Sequence, residues 1–287
     1  LLLLALGFEI LASTPAAAQD VEESRTSAGL VWLQRHQYPD GSWGPHPCGA
    51  PHEGEPPGDV EHTALGLLAF LNAGYLHISK VALHDAVTGK NASCGQIVKG
   101  ALRFLIRNLT NMGLFQDPGG SPRPESHAVA TVAMVEAYGR SQSPLFKQPA
   151  EFALARLVEE DLAASSPATL AWTVLALQAA KLARLSIPSD AFDRLRPRVR
   201  DLPGDGALAN AVRLAGGLAL DLELGWLAAD AHGLAASGPA PDPMVTFLAA
   251  HALSAFDGPD AEAPGDRWTS WCAGGLDPLL NVQARRE

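Results

Sequence analysis

A chain of 287 residues, of which 47% are hydrophobic, is long enough for one large or two medium domains with a sizeable buried core. Its 31 acidic and 21 basic residues give a formal net charge of −10. No lysine and arginine cluster is dense enough to follow a phosphate backbone, which argues against nucleic acid as a partner. Cys48, Cys94 and Cys272 are far apart and odd in number, so at most one disulfide can form.

The chain begins with a leucine-rich stretch, LLLLALGFEILASTPAAA, whose end shows an Ala-x-Ala pattern before Gln19. This pattern is typical of an export signal. Glu9 lies inside the apolar run and weakens a membrane-spanning interpretation, because a carboxylate is costly in lipid. We therefore expect residues 1–20 to be a signal peptide or the remnant of a membrane anchor, with an ordinary amphipathic helix as the alternative. The protein is then exported and associates with a membrane, if at all, through this N-terminus.

From residue 21 onward, apolar residues recur at helical spacing, with little of the Val, Ile and Thr alternation that indicates strands. The sequence therefore predicts one all-α domain over residues 21–287. The predicted helices are 21–37, 59–74, 93–109, 125–139, 147–160, 166–184, 188–200, 206–220, 222–236, 242–256 and 267–283. Proline and glycine clusters separate several of them, and none of these clusters is long enough to be a domain linker.

Two kinds of predicted helix alternate along the chain. Four segments are apolar nearly all round, which is typical of helices buried on several sides: HTALGLLAFLNAG, SHAVATVAMVEAYG, TLAWTVLALQAAKLA and MVTFLAAHALSAF. Three others carry one apolar stripe and a charged face, as in SAGLVWLQRHQ, VKGALRFLIRNL and PAEFALARLVEED. Inner and outer helices alternate with a period of about 45 to 60 residues, which indicates helical hairpins repeated in a ring or a solenoid.

The turn after the first helix carries a complete repeat motif. The stretch LQRHQYPDGSWG resembles the QxxDGSW motif of squalene-hopene cyclases and protein-prenyltransferase β-subunits. The segments SHAVATVAMVEAYG, AWTVLALQAAKLARLSIP and RWTSWCAGGLDPLLNVQ resemble those of bacterial prenyltransferase/squalene-oxidase repeat proteins. The resemblance covers residues 25–283 and implies an α/α toroid, a ring of inner helices inside a ring of outer ones. It also implies that Gln37, Asp40, Gly41 and Trp43 hold outer helices together, since the family's glutamine bonds a neighbouring helix start and its tryptophan packs over it.

The chain departs from the family pattern after its first repeat. NLTNMGLFQD keeps the glycine and the aromatic residue, at Gly113 and Phe115, but has neither glutamine nor aspartate at the expected places. After Gln283 the family would continue with another glycine-tryptophan turn and a last inner helix, whereas this sequence ends with ARRE. We therefore expect a toroid that is incomplete at the C-terminus.

Catalysis of the cyclase type needs a strong acid, which the cyclases supply from a DxDDT motif that keeps one aspartate protonated. The sequence contains no DxDDT. PDPMVT places a single acid, Asp242, at a comparable late position, and Asp242 is the one catalytic candidate. Its simpler interpretation is a helix cap followed by a first-turn proline.

A second group of candidates could hold zinc. The segment HPCGAPHEGEPPGDVEHT contains side chains of the types that bind this metal: His46, Cys48, His52, Asp59 and His62. The resemblance places the family's zinc ligands in later repeats, and the spacing matches no zinc finger. A solvated loop, with the last histidine near a helix start, is therefore the preferred alternative, and no cofactor is expected unless zinc binds here.

The resemblance also implies a central cavity lined by the inner helices. The candidates to line it are His62, His127, Trp172 and Thr246. A lone histidine at such a position is more often a bonded core residue than an acid or base. We expect an exported repeat domain without catalytic activity that binds an apolar small molecule or a peptide. A terpenoid-cyclase-like enzyme and a structural module tethered at the membrane are the alternatives, and an aromatic content of 6% favours binding, because cyclases shield carbocations with aromatic faces.

Overall fold

The computed structural model describes most of the chain between residues 27 and 253. The described residues are 27–45, 58–159, 166–220, 222, 224–238, 245–246, 248–249 and 252–253. In chain order, the helices and strands are α1 (27–35), α2 (Val60–Asn72), β1 (Ala82–Asp85), β2 (Lys90–Ser93), α3 (Cys94–Arg107), α4 (Pro124–Ser141), α5 (Pro144–Glu159), α6 (Pro167–Leu182), α7 (Ala191–Arg200), α8 (Ala207–Ala219) and α9 (Leu224–Ser237). Residues 245–246, 248–249 and 252–253 are also helical.

The described residues divide into two compact units. The first contains the described residues before 160 together with Leu175–Pro188. The second contains Ser166–Val174 and the described residues from Ser189 onward, so α6 is divided between the units. The predicted all-α class is confirmed, because the only sheet of the described residues is the two-stranded hairpin of β1 and β2. The toroid stays a prediction.

In the first unit, enclosed helices alternate with half-buried ones. Helix α2 packs against α3 and α4, and α4 packs against α5. Helices α2 and α4 have buried residues nearly all round, whereas α3 and α5 bury one face each. The many alanines of α4 allow this enclosure, since small side chains let neighbouring helices approach on several sides. The two kinds of helix inferred from the sequence are therefore present in this unit.

In the second unit, α8 packs against both α7 and α9. Glycines on α8 permit these close contacts, because a side chain at Gly217 would overlap Leu227 and one at Gly216 would press on Val199. Arg213 of α8 binds Asp230 of α9 at 2.8 Å, with both side chains mostly buried. An ion pair at this depth fixes the relative position of the two helices, because breaking it would leave a charge buried without a partner.

The hairpin of β1 and β2 was not predicted from the sequence. The strands pair antiparallel, and Gly89 makes the turn with a φ of 67°. Leu83 and Asp85 of β1 point inward and are buried. Arg35 of α1 donates two hydrogen bonds to the Asp85 carboxylate, at 2.7 and 3.0 Å, and so attaches the hairpin to the first helix.

The loops that follow α1 and α3 form the same turn. After α1, the Gly41 N–H donates to the Tyr38 carbonyl, and the Tyr38 N–H donates to the Ser42 carbonyl. After α3, the Gly113 N–H donates to the Thr110 carbonyl, and the Thr110 N–H donates to the Leu114 carbonyl. The glycines are Gly41, with a φ of 92°, and Gly113, with a φ of 78°. The aromatic residue two positions later, Trp43 or Phe115, is buried in both cases. The first unit therefore contains a structural repeat.

No described helix is both long enough and apolar enough to cross a bilayer.

Candidate functional site

The turn between α1 and α2 connects α1 to α3. The Gln37 side-chain amide donates to the carbonyl of Gly41 within the turn and to the carbonyl of Ile97 in the first half of α3, both at 3.0 Å. Gly41 lies against the backbone of Gly100 in α3, so closely that a Cβ at Gly41 would overlap it. Asp40 accepts bonds from the backbone N–H and the hydroxyl of Ser42, which closes the turn.

Trp43 connects the same turn to α2. Its indole N–H donates to the Leu33 carbonyl at 2.8 Å, and its backbone N–H donates to the Thr63 hydroxyl at 3.0 Å. The indole stacks on Phe70 with ring centroids 6.2 Å apart and covers Gly66, where a Cβ would lie 2.6 Å from the ring. The one polar atom of the indole is thus used in joining α1 to α2, which gives Trp43 a packing role.

Polar side chains gather where α2 and α4 begin, and we call them the helix-end cluster. Its members are Asp59, Glu61, His62, Asp117, Arg123 and Ser126. Asp117 accepts from the backbone N–H of Val60, the first residue of α2, at 2.8 Å. Arg123 lies 3.3 Å from both Asp117 and Glu61, and its side chain is 52% exposed. Carboxylates are favourable here, because the backbone N–H groups at a helix start carry partial positive charge.

Asp59 and His62 form an ion pair at the start of α2. Asp59 caps the helix by accepting from the His62 backbone N–H, and its carboxylate lies 2.8 Å from His62 Nδ1. Burial raises the pKa of Asp59, but the two bonds from His62, together with the positive charges of His62 and Arg123, hold this pKa below the ordinary value. The side-chain bond to Asp59 raises the pKa of His62, against the opposing effect of burial. Nδ1 of His62 is therefore committed to Asp59, which leaves Nε2 of this half-buried ring to meet other groups.

His127, in the first turn of α4, is fully buried. Its Nδ1 accepts from the backbone N–H of Phe115 at 3.2 Å, so the neutral ring carries its proton on Nε2. Burial, and after it the positive charge of Arg156, lowers the pKa of His127 to about 4. Nε2 has no partner of full hydrogen-bond geometry in the described part of the chain, and a looser contact with the Ala153 backbone partly offsets the lowering of the pKa. These contacts are those of a neutral core histidine packed under the turn that follows α3.

The other sequence candidates are buried or lie outside the described residues. Trp172 is 1% exposed and Thr246 is fully buried. The zinc candidates His46, Cys48 and His52 and the catalytic candidate Asp242 fall outside the described residues, so these stay predictions. Among the described residues, no group of three or more His, Cys, Asp or Glu side chains is placed to hold a metal ion.

Sequence reasoning missed most of the helix-end cluster. It singled out Asp59 and His62, whose spacing of three residues is that of a helix cap and its partner. Asp117, Arg123 and Ser126 lie in the loop before α4 and in its first turn, about one repeat further along the chain. A repeat alignment that places the starts of α2 and α4 side by side is the signal that could have found them.

No protein-family model matches the chain, and no curated protein matches it.

Proposed function

We propose that the protein is an exported α/α-toroid repeat domain that binds a ligand without transforming it, and that the ligand is a peptide or an apolar small molecule. The toroid is supported by the repeated turn, which places Gly41 against α3 and Gly113 against α5. It is also supported by the enclosure of α2 and α4 between half-buried helices. Repeated helical hairpins of this kind present extended binding surfaces.

The observation that carries the binding proposal is the helix-end cluster. It offers hydrogen-bond donors, on His62 and Arg123, beside carboxylate acceptors such as Glu61, and these side chains are partly exposed. A peptide backbone has both N–H and C=O groups and can pair with both kinds. Side chains already held in hydrogen bonds bind at a lower entropic cost than free ones, because their rotamers are fixed beforehand. The cluster therefore favours a peptide over a purely apolar molecule.

The pKa of Asp59 argues against a role of this carboxyl as a cyclase acid. A cyclase must deliver a proton to an alkene, so its catalytic carboxyl has to be protonated in the resting enzyme. The ion pair with His62 lowers the pKa of Asp59, which keeps this carboxyl ionised at neutral pH. An ionised cap can orient a histidine or accept a hydrogen bond from a ligand. It cannot act as the strong acid.

Native mass spectrometry of the full chain from its own host tests the proposal. We expect a retained peptide or small molecule on the wild type and on His84→Gln, which alters an exposed histidine of the hairpin. The retained mass should be lost from His62→Gln, with circular dichroism used to establish that this variant is folded. Retention of the same mass by His62→Gln would contradict the assignment of the site.

An activity assay addresses the enzymatic alternative directly. Full-length protein is incubated with squalene, and separately with farnesyl diphosphate and a cysteine peptide, with and without zinc. We expect no product above a heat-inactivated control. A cyclised product that disappears in Asp242→Asn would establish the cyclase instead, and a zinc-dependent product that disappears in Cys48→Ser would establish a transferase.

A further inference from the structure

The chain segregates its charge. Residues 62–116 contain five basic residues and one acidic residue, although the whole chain has ten more acids than bases. The five bases are Lys80, Lys90, Lys99, Arg103 and Arg107. The one acid, Asp85, is 1% exposed and already holds two hydrogen bonds from Arg35. Asp85 therefore does not offset these bases, and this segment is locally positive in an otherwise acidic protein.

Helix α3 presents three of these bases on one face. Lys99, Arg103 and Arg107 are spaced four residues apart, and side chains at this spacing lie along the same side of a helix. The opposite side of α3 is buried, and the helix contains no acidic residue. Arg107 donates to the Asp40 carbonyl at 2.9 Å. Within the described ranges, neither Lys99 nor Arg103 forms an ion pair, so their charge is available to a partner.

The arginines of α7 contrast with the bases of α3. Each of three exposed or half-exposed arginines pairs with an aspartate on or beside the same helix: Arg194 with Asp190, Arg196 with Asp193, and Arg200 with Asp201. Such pairs neutralise the surface they occupy. The bases of α3 differ because the helix itself contains no acid to pair with them.

Exposed apolar side chains lie in the same segment. Ile78, Val81 and Val87 are 68%, 53% and 77% exposed, and Ile106 is exposed between Leu105 and Arg107. Exposed apolar side chains among lysines and arginines suit the surface of an anionic membrane, where the cations meet lipid headgroups and the apolar groups enter the boundary of the acyl chains. A purely acidic soluble chain such as polyglutamate would use the bases but would give the exposed apolar side chains no role.

We propose that the exposed and half-exposed residues of the segment 77–107, here called the basic surface, dock the protein on a membrane that contains anionic phospholipid. The remaining chain has fourteen more acids than bases and is therefore repelled by such a membrane. An anionic membrane attracts the basic surface and repels the acidic remainder, so docking also orients the molecule. This contact is separate from any that residues 1–20 make.

Vesicle co-sedimentation of the full chain tests the proposal. Vesicles of phosphatidylcholine alone are compared with vesicles in which phosphatidylserine makes up about a third of the lipid. Wild type should bind the anionic vesicles more strongly, and added salt should weaken this difference. Lys99→Gln/Arg103→Gln removes two bases without breaking a described hydrogen bond. Its partitioning onto the anionic vesicles should fall about 30-fold, given the usual contribution of one base near such a surface.

The matched control is Arg194→Gln/Arg200→Gln, which makes the same change of net charge on α7. It should bind the anionic vesicles like wild type, and all variants should keep the wild-type melting temperature. Val87→Ser should weaken binding to the anionic vesicles but leave binding to soluble polyglutamate unchanged. Equal binding of wild type to both kinds of vesicle, or an equal loss in both double variants, would overturn the proposal. Strong binding to polyglutamate without binding to anionic vesicles would assign the surface to an acidic protein instead.

Discussion

Replacing Trp43 by alanine should destabilise the first unit and leave ligand affinity unchanged. The indole is 2% exposed, and a fully buried tryptophan replaced by alanine costs about 3 to 5 kcal/mol. Two features of the site place the effect in the upper half of this range. The cavity cannot be refilled from α2, because the residue under the ring is Gly66. The Leu33 carbonyl also loses the indole N–H that it accepts.

We therefore expect a loss of about 4 kcal/mol in the free energy of unfolding, and a melting temperature lower by about 10 °C. Urea unfolding followed by far-ultraviolet circular dichroism measures the first quantity, and a thermal scan measures the second. Trp32→Ala is the matched control, because this half-buried indole stacks on His36 at the surface of α1 and should cost about 1 kcal/mol. A loss below about 1 kcal/mol for Trp43→Ala would refute the packing argument. Weakened ligand binding at an unchanged melting temperature would place function in the turn.

Three further predictions concern backbone and charge. Gly41→Ala should lower the free energy of unfolding by more than about 2 kcal/mol, since alanine is strained at a φ of 92° and its Cβ would overlap α3. Gly74→Ala is the control: it has similar φ strain with open space around it and should cost about 1 kcal/mol, as measured by urea unfolding. Asp85→Asn at pH 7 should lower the hydrogen-exchange protection of the hairpin amides. In wild type the same loss should appear only as the pH falls below about 4, because Arg35 holds the pKa of Asp85 well below its usual range. Acid should destabilise wild type by up to about 3 kcal/mol between pH 6.5 and pH 4, because burial lowers the pKa of His127 to about 4 in the fold, so the unfolded chain takes up its proton first. His127→Gln should reduce this dependence, as measured by urea titrations at both pH values.

The helices were largely predictable because their signals are local. The sequence predicted helices at 59–74 and 125–139, and the structure has Val60–Asn72 and Pro124–Ser141. Apolar spacing, an aspartate cap and a first-turn proline all lie within a few residues of these boundaries. The alternation of enclosed and half-buried helices was equally visible, because it depends on how much of each helix surface is apolar.

The hairpin was not predictable by the same reasoning. An inward position of β1 is occupied by Asp85 in place of an apolar residue, so the strand does not show the alternation that identifies a half-buried strand. What makes an aspartate acceptable there is Arg35, fifty residues earlier in the chain. A buried acid whose partner lies on another element looks, in the sequence alone, like a polar loop residue. The helix-end cluster escaped prediction for the same reason, since its members meet only when α2 and α4 pack together.

The two turns show why a repeat can lose its motif and keep its shape. In both, a glycine makes the reversal and a large aromatic residue fills the space beneath, so the backbone N–H of that aromatic is buried and needs an acceptor. In the first turn the acceptor is the Thr63 hydroxyl of α2, and in the second it is Nδ1 of His127 in α4. In both cases the acceptor lies in the first helical turn of the helix that follows the chain reversal. A histidine that serves in this way must stay neutral and keep its lone pair on Nδ1, which is a structural requirement sufficient to explain its burial and its low pKa.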